Sequence, residues 1–262
     1  MSYLFTDVNA TAKNAAGLQT IVDGTNLDTT LINFRTLNVT GRGIAERELT
    51  ETPKPYGDGS WVDFQRIPAR DLFIEAEIWA DTEVQLQELF RKLNEEILGG
   101  KKKIIFTDEP NYYWLGYFTT WNAPKEDRRR HVTTLTFRRT DPYKYKTGTS
   151  VINNTTPIPT GYTMPLNPEK IKLIVGAATS SVKLTNSTTG KNIVINRSFI
   201  AGDEIDIIYG ESIKVQFPSG TNLMPYVSLS SDLEFFTIKA GDTLAVSPTT
   251  VQYEITARGR SL

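Results

Sequence analysis

The 262-residue chain contains no cysteine and a single histidine. The first absence removes disulfides, thiolate metal sites and cysteine nucleophiles. The second leaves His131 without the companions a zinc set needs, and no His-Glu-x-x-His run is present. An excess of charge is also lacking: 29 basic and 30 acidic residues give a formal net charge of -1, with a pI of about 6.0. No global basic field advertises nucleic acid, so any charge effect must be local. Long apolar runs are missing, and none approaches the roughly 20 residues a membrane-spanning helix needs. The opening MSYLFTDVNATAKNAAG has neither a basic start nor an apolar stretch of the kind an export signal carries. These absences lead us to expect a soluble protein made in a cytoplasm, with no membrane insertion.

Motifs that carry chemistry are equally scarce. Any Ser/His/Asp arrangement would have to use His131, but no Gly-x-Ser-x-Gly occurs. A solvated or interface histidine beside arginines is the expectation there. STTGKN (187–192) holds a Gly-Lys pair, yet Thr185 stands where the first P-loop glycine belongs, so it reads as a hairpin turn. Gly41-Arg42-Gly43 and Gly57-Asp58-Gly59 are too short for a dinucleotide fingerprint and read as turns. Glu75 and Glu77 share one face of a strand pattern, the arrangement that paired hydrolytic carboxylates would need. With Leu72, Ile74 and Ile78 turned to the core, both glutamates are expected in solvent without a catalytic role. No enzyme activity, metal or cofactor is expected.

What is present is ordinary globular material, 39% hydrophobic and 23% charged, enough to bury a sizeable core. One segment has helical spacing: in DTEVQLQELFRKLNEEILGG, Leu86, Leu89, Phe90, Leu93 and Ile97 form a single stripe. Thr82 and Gln85 have capping-box spacing, and Gly99-Gly100 supplies a stop, which predicts a helix over about 82–98. Almost everything else alternates like strands. LFIEAEIW (72–79), KIIF (103–106), YYWLGYF (112–118) and HVTTLTF (131–137) predict a sheet onto which the helix lays its stripe. Between NFRTLNVT and WVDFQRI lies a polar stretch punctuated by Pro53, Pro55, Gly57, Asp58 and Gly59. It is too long for a simple connection and predicts a projecting hairpin arm over about 40–65.

At TDPYKYK (140–146) the last strand stops. Pro142 lacks an amide donor and biases Asp141 away from helix, while Asp141 can accept from nearby backbone amides. Tyr143 and Tyr145 would then pack as Lys144 and Lys146 stay wet. From 147 to 168 the Thr, Asn, Gly and Pro content predicts a linker. Short strands follow at regular spacing: IKLIV, VKLT, NIVI, EIDIIY, IKVQF, LEFFTI, TLAV and VQYEITA, which predict a β-sandwich over 169–262. The expected fold class is therefore mainly β, an N-terminal sandwich-like domain with one amphipathic helix plus a C-terminal sandwich.

Two residue sets invite binding. Lys101, Lys102, Lys103, Arg128, Arg129, Arg130, Arg138, Arg139, Lys144 and Lys146 lie in one third of the chain. They read either as a solvated face paired with Asp108, Glu126 and Asp127, or as a protein-binding surface anchored by Tyr112, Tyr113 and Trp114. In the second half, Tyr209, Phe217, Tyr226, Phe235, Phe236 and Tyr253 read mainly as core, with a sugar-binding face as the alternative.

The order of these segments resembles the distal tail protein (Dit) family of siphophages, the long-tailed non-contractile bacteriophages. The resemblance runs through TIVDGTNL, NVTGRG, PKPYGDGSW, RIPARDLFIEAEIWA, the amphipathic helix with its following hairpin, and LTFRRTDPYKY. It is looser in the second half, through LTNSTTGKNIVI, AGDEIDI, SSDLEFFTIKAGDTLAV and VQYEITARGR. The first nineteen residues stand outside the pattern as an extra segment, and nothing indicates inserted carbohydrate-binding modules. The resemblance implies a structural virion protein at the distal end of the tail, assembled in the bacterial host cytoplasm. It further implies a ring-forming N-terminal domain (1–146), a hexamer joining the tail tube protein to the tail-associated or baseplate hub. Genomic DNA would pass through without specific binding. The C-terminal domain would be a galectin-like sandwich pointing outward, able to carry receptor-binding parts. A carbohydrate-binding protein that holds cell-wall saccharide is the alternative. Subunit-interface or structural candidates are Pro53, Pro55, Gly57, Asp58, Gly59, Trp61, Arg66 and Arg70 along the arm, with Asp141, Pro142 and Tyr143 at the seam.

Overall fold

The computed structural model describes residues 17–43, 46–122, 130–156, 158–160, 164–210 and 212–262. Arg128, Arg129, Glu126, Asp127 and most of the extra N-terminal segment lie outside the described residues. The architecture is mainly β, as the alternating patterns require. The chain divides into two compact units between Lys144 and Tyr145.

In the first unit, β1 (Thr20–Val22) and β2 (Thr25–Asn26) are joined by Asp23-Gly24, both at positive φ. The short α1 (Leu27–Thr30) leads into β3 (Phe34–Thr40). Asp28, nearly fully buried, explains this compact start. Its carboxylate accepts from the Thr20 amide at 3.0 Å, the Thr36 amide at 2.5 Å and the Thr36 hydroxyl at 2.8 Å. A buried carboxylate is tolerated only when its oxygens are satisfied in this way.

Next come β4 (Glu48–Pro53), β5 (Ser60–Arg66) and β6 (Arg70–Trp79). In β6 the alternating Leu72, Ile74, Ala76 and Ile78 are all fully buried. Helix α2 (Glu83–Ile97) covers them with the stripe Leu86, Leu89, Phe90, Leu93 and Ile97. Thr82 caps it by accepting from the Gln85 amide at 3.2 Å. The Gln85 side chain accepts from the Asp81 amide at 3.1 Å, a capping box displaced by one residue. The helix ends at Leu98, before Gly99 turns to φ +116°.

Strands β7 (Lys102–Phe106), β8 (Tyr112–Trp121) and β9 (Arg130–Arg139) complete the unit. The start of β8 pairs with β7, and its end pairs with β9. β6 runs antiparallel between β3 and β9. Gly116 makes the close packing possible, because a Cβ there would lie 2.3 Å from the Arg138 carbonyl oxygen.

The second unit contains β10 (Lys144–Asn153), β11 (Asn167–Ile174), β12 (Val182–Asn186), β13 (Asn192–Ile195) and β14 (Glu204–Ile208). β15 (Lys214–Gln216), β16 (Leu244–Ser247) and β17 (Gln252–Ser261) follow. One sheet has the order β15-β14-β11-β17-β10 and the other β13-β12-β16. Ile171, Leu173, Ile205, Ile207 and Ile255 from the first sheet meet Val182, Leu184, Ile193 and Ile195 from the second in one core. The outer edge of β13 is closed by the segment after Tyr226. Ser228 donates to the Val194 carbonyl at 2.9 Å, and the Ser231 hydroxyl accepts from the Val194 amide at 2.9 Å. Asp232 accepts from the Asn192 amide at 3.1 Å and pairs with Lys191 at 2.9 Å.

Several expectations need correction. Residues 147–168 are not a linker throughout: β10 occupies 144–153, and Ile152 and Leu166 are buried in the second core. The Thr-rich composition there reflects the partly exposed face of a strand. LEFFTI is not a strand, since Leu233–Phe235 forms a 3-10 turn and only Ile238 bridges, to Leu166. Glu77 is 7% exposed, held by Arg130 at 2.5 Å, so of the two glutamates only Glu75 is in solvent. His131 is buried as well, in register with Ile78 on the inward row of β9.

Candidate interaction surface

The expected arm exists as an isolated two-stranded sheet, β4 paired with β5 and hydrogen-bonded to no other strand among the described residues. Thr52 faces Trp61 and Pro53 faces Ser60, while Lys54 donates to the Gly59 carbonyl at 3.2 Å to close the turn. Gly59 needs its φ of +86° for that closure. Pro55, Gly57 and Asp58 form the exposed tip with the fully exposed Tyr56. The register slips between Thr50 and Glu51, leaving Asp63 as a bulge whose carboxylate accepts from the Thr52 hydroxyl. Arg66 pairs with Glu48 at 2.6 Å across the base of the ladder.

No residue described between 46 and 66 is buried. Yet Leu49, Trp61, Val62 and Phe64 are each at least half exposed. Leu49 and Val62 fall on one face and Trp61 and Phe64 on the other, because the register pairs Thr52 with Trp61, Thr50 with Phe64, and Glu51 with Val62. An isolated two-stranded ribbon is marginal by itself, and exposed apolar groups on both faces are the signature of a surface awaiting a partner. Of these apolar residues, sequence reasoning singled out Trp61 and missed Leu49, Val62 and Phe64. Their alternation with Thr, Glu and Asp looks like a half-buried strand until the missing second layer is seen.

The remaining candidates are dispersed. Arg70 begins β6 and donates to the Gly43 carbonyl at 3.3 Å, at the root of the arm. Asp141 accepts from the Tyr143 amide at 3.1 Å, so the turn around Pro142 is the Asx-type exit its sequence predicts. Those three residues are half-buried and far along the chain from the arm.

The basic set does not form one open patch. Lys102 pairs with Asp23 at 3.3 Å, Arg138 with Asp71 at 3.1 Å and Lys144 with Glu109 at 2.5 Å. Lys144 is thus an ion-pair partner, also stacked over Tyr112, and not simply wet. Asp108 serves Arg42 instead of the predicted lysines and arginines, at 2.8 Å. Lys103 lies over the Tyr113 ring, and Trp114 is a core residue tilted against Phe106, so Trp114 cannot anchor a partner. In the second unit Phe236 is core, Tyr209, Phe217 and Tyr253 are half-buried, and Tyr226 and Phe235 are exposed. Arg197 lies between Phe217 and Tyr226, at 4.9 and 5.1 Å from their ring centroids. Burial raises the Tyr209 hydroxyl above its ordinary pKa.

Residues 163–256 match the family model described as a siphovirus-type tail component, C-terminal domain. The distal tail protein of Bacillus phage SPP1 is 26% identical over 207 residues, spanning 76% of this chain and 80% of that protein. The crystal structure of SPP1 Dit, described as a paradigm of the hub adsorption apparatus in phages infecting Gram-positive hosts, superposes with a TM-score of 0.79. It has 21% identity over 94% of this chain and 100% of that one. A chain of the phage P2 baseplate in its activated conformation with Ca gives a TM-score of 0.50 at 12% identity, covering 92% of this chain and 98% of that one. The two-unit β architecture and the matched second half converge on one likeness: over most of its length the chain is similar to the distal tail proteins (Dit) of siphophages.

Proposed function

We propose that this structural tail protein closes into a homo-oligomeric ring, a hexamer, linking the tail tube to the tail-tip or baseplate machinery. The observation that carries the reading is the β4–β5 hairpin, with four large apolar side chains exposed and no layer of its own to cover them. Docking of that arm on the next protomer is a heterologous contact, and a rotation that closes such contacts makes a ring. Trp61 and Phe64 are the anchors, in keeping with the weight of aromatic residues at interface centres. The tail tube protein and a tail-associated hub are the proposed axial partners, with receptor-binding parts carried by the second unit. DNA crosses the ring without specific contacts, in keeping with a chain whose formal net charge is -1. The role is structural and non-catalytic, and assembly takes place in the host cytoplasm.

Light scattering with electron microscopy tests this. Wild-type protein is expected to give closed rings at high concentration. The Trp61→Ser/Phe64→Ser double variant should stay monomeric with an unchanged melting temperature. Rings that persist in the double variant would remove the arm from the assembly.

A second reading rests on the exposed Tyr226 and Phe235 rings and on the Arg197 stack, which suit a saccharide face on the second unit. Saturable binding of the full chain on a glycan array, abolished by Tyr226→Ala, would establish that role.

A further inference from the structure

Four segments distant in sequence meet where the arm leaves the body of the first unit. On the outgoing chain, Gly41, Arg42 and Gly43 are each held by a different element. The Arg139 guanidinium at the end of β9 donates to the Gly41 carbonyl at 3.1 Å. The Arg42 side chain forms a two-pronged contact with Asp108 in the β7–β8 turn, at 2.9 and 2.8 Å, and lies over the Phe106 ring. On the returning chain, Arg70 donates to the Gly43 carbonyl at 3.3 Å. Gly41 itself, at φ +88°, sits so close to β6 that an added Cβ would fall 2.3 Å from the Asp71 carbonyl oxygen.

This is an expensive arrangement. Arg139 is 3% exposed, its Nε lacks a hydrogen-bond partner among the described residues, and so does Asp71 Oδ1. Burial, with Arg70 nearby, lowers the Arg139 pKa to about 10. A buried charge with an unsatisfied donor contributes little to stability, and its best-attested use is to fix one geometry among several. Planar guanidinium forks suit that purpose better than ammonium groups do.

We infer that Arg139, Arg70 and Arg42 are positioning residues, a guanidinium clamp on Gly41–Gly43 that sets the direction in which the β4–β5 arm projects. The inference rests on the ring proposal for its consequence: the clamp would fix the angle between neighbouring protomers and hence ring closure.

The chain has no cysteine, so spin labels can be placed uniquely at Tyr56→Cys on the arm tip and Glu96→Cys on α2. The distance distribution between them, measured in full-length protein diluted with unlabelled chains, reads the arm direction within one protomer. A single narrow distribution is expected for the parent. Arg139→Met and Arg70→Gln should each broaden it at least twofold, with Arg139→Lys partly restoring the width. The tryptophan-monitored melting temperature should stay near the parent value, which separates positioning from general destabilisation. Should Arg139→Met fail to fold, Arg70→Gln carries the same test at a less buried position. Unchanged distributions in both variants would overturn the clamp, whatever the assembly state. A broadened arm combined with rings that close as efficiently as the parent's would overturn its role in closure. Absence of rings in the parent would instead remove the ring proposal and leave the distance result to decide the clamp alone.

Discussion

Gly41 and Gly43 stand two residues apart, and alanine at the two positions should have opposite outcomes. At Gly41 the new Cβ faces two penalties. The φ of +88° is a left-handed conformation that costs an L-residue about 1–2 kcal/mol. The Cβ would also sit 2.3 Å from the Asp71 carbonyl oxygen, a backbone atom of β6 held in the β6–β9 ladder opposite Arg138, which cannot swing aside. Overpacking of that kind adds about 1–3 kcal/mol. The sum, about 2–5 kcal/mol, corresponds to a fall on the order of 10 °C for a unit of this size. At Gly43 an added Cβ meets nothing within 4 Å and φ is not positive, so alanine there should change stability by less than about 0.5 kcal/mol. The assay is built into the sequence: Trp61, Trp79, Trp114 and Trp121 are all four tryptophans, and all lie in the first unit. Their fluorescence follows that unit's unfolding without interference from the second. Equal melting temperatures for the two variants at one protein concentration would refute the close-approach argument.

Two further outcomes follow from the packing and the ion pairs. Leu93→Ala empties a nearly inaccessible position on the inner face of α2 and should cost about 2–5 kcal/mol in denaturant unfolding followed by tryptophan emission, whereas the exposed Val84→Ala should be close to neutral. Asp232 is held below the usual carboxylate range, first by the Lys191 ammonium and then by the Asn192 amide. Its stabilising contribution is present above the ordinary carboxylate pKa and is lost as pH falls through the lowered folded value. Acidification in that window should raise hydrogen exchange at Asn192 in the wild type, and Asp232→Asn should show the raised exchange already at neutral pH.

The elements that read clearly from the sequence are those whose pattern is set by a buried layer. Leu72, Ile74, Ala76 and Ile78 alternate because α2 lies over them, and the α2 stripe is spaced as it is for the same reason. The arm was legible by length and punctuation, through Pro53, Pro55 and Gly57-Asp58-Gly59. Its apolar content was not, because Leu49, Val62 and Phe64 answer to no layer within the chain. Glu77 and His131 misled for a different reason. Periodicity assigns a face, but it does not reveal that Arg130 folds over Glu77 or that the inward row of β9 continues as far as His131. The clamp at Gly41–Gly43 was invisible because its parts come from positions 41–43, 70, 108 and 139, and no spacing rule links them. LEFFTI failed because hydrophobicity alone does not distinguish a strand from a turn that buries one ring, Phe236, and exposes the next, Phe235.

A hairpin with no buried residue has a consequence for how this protein can change. Substitutions in the core are filtered twice, by folding and by whatever depends on the fold. Those between 48 and 66 bypass the first filter, since surface changes there move the melting temperature by little. Partner choice can therefore drift while the scaffold holds still. A variant library ranked by thermal stability would pass every broken arm as healthy.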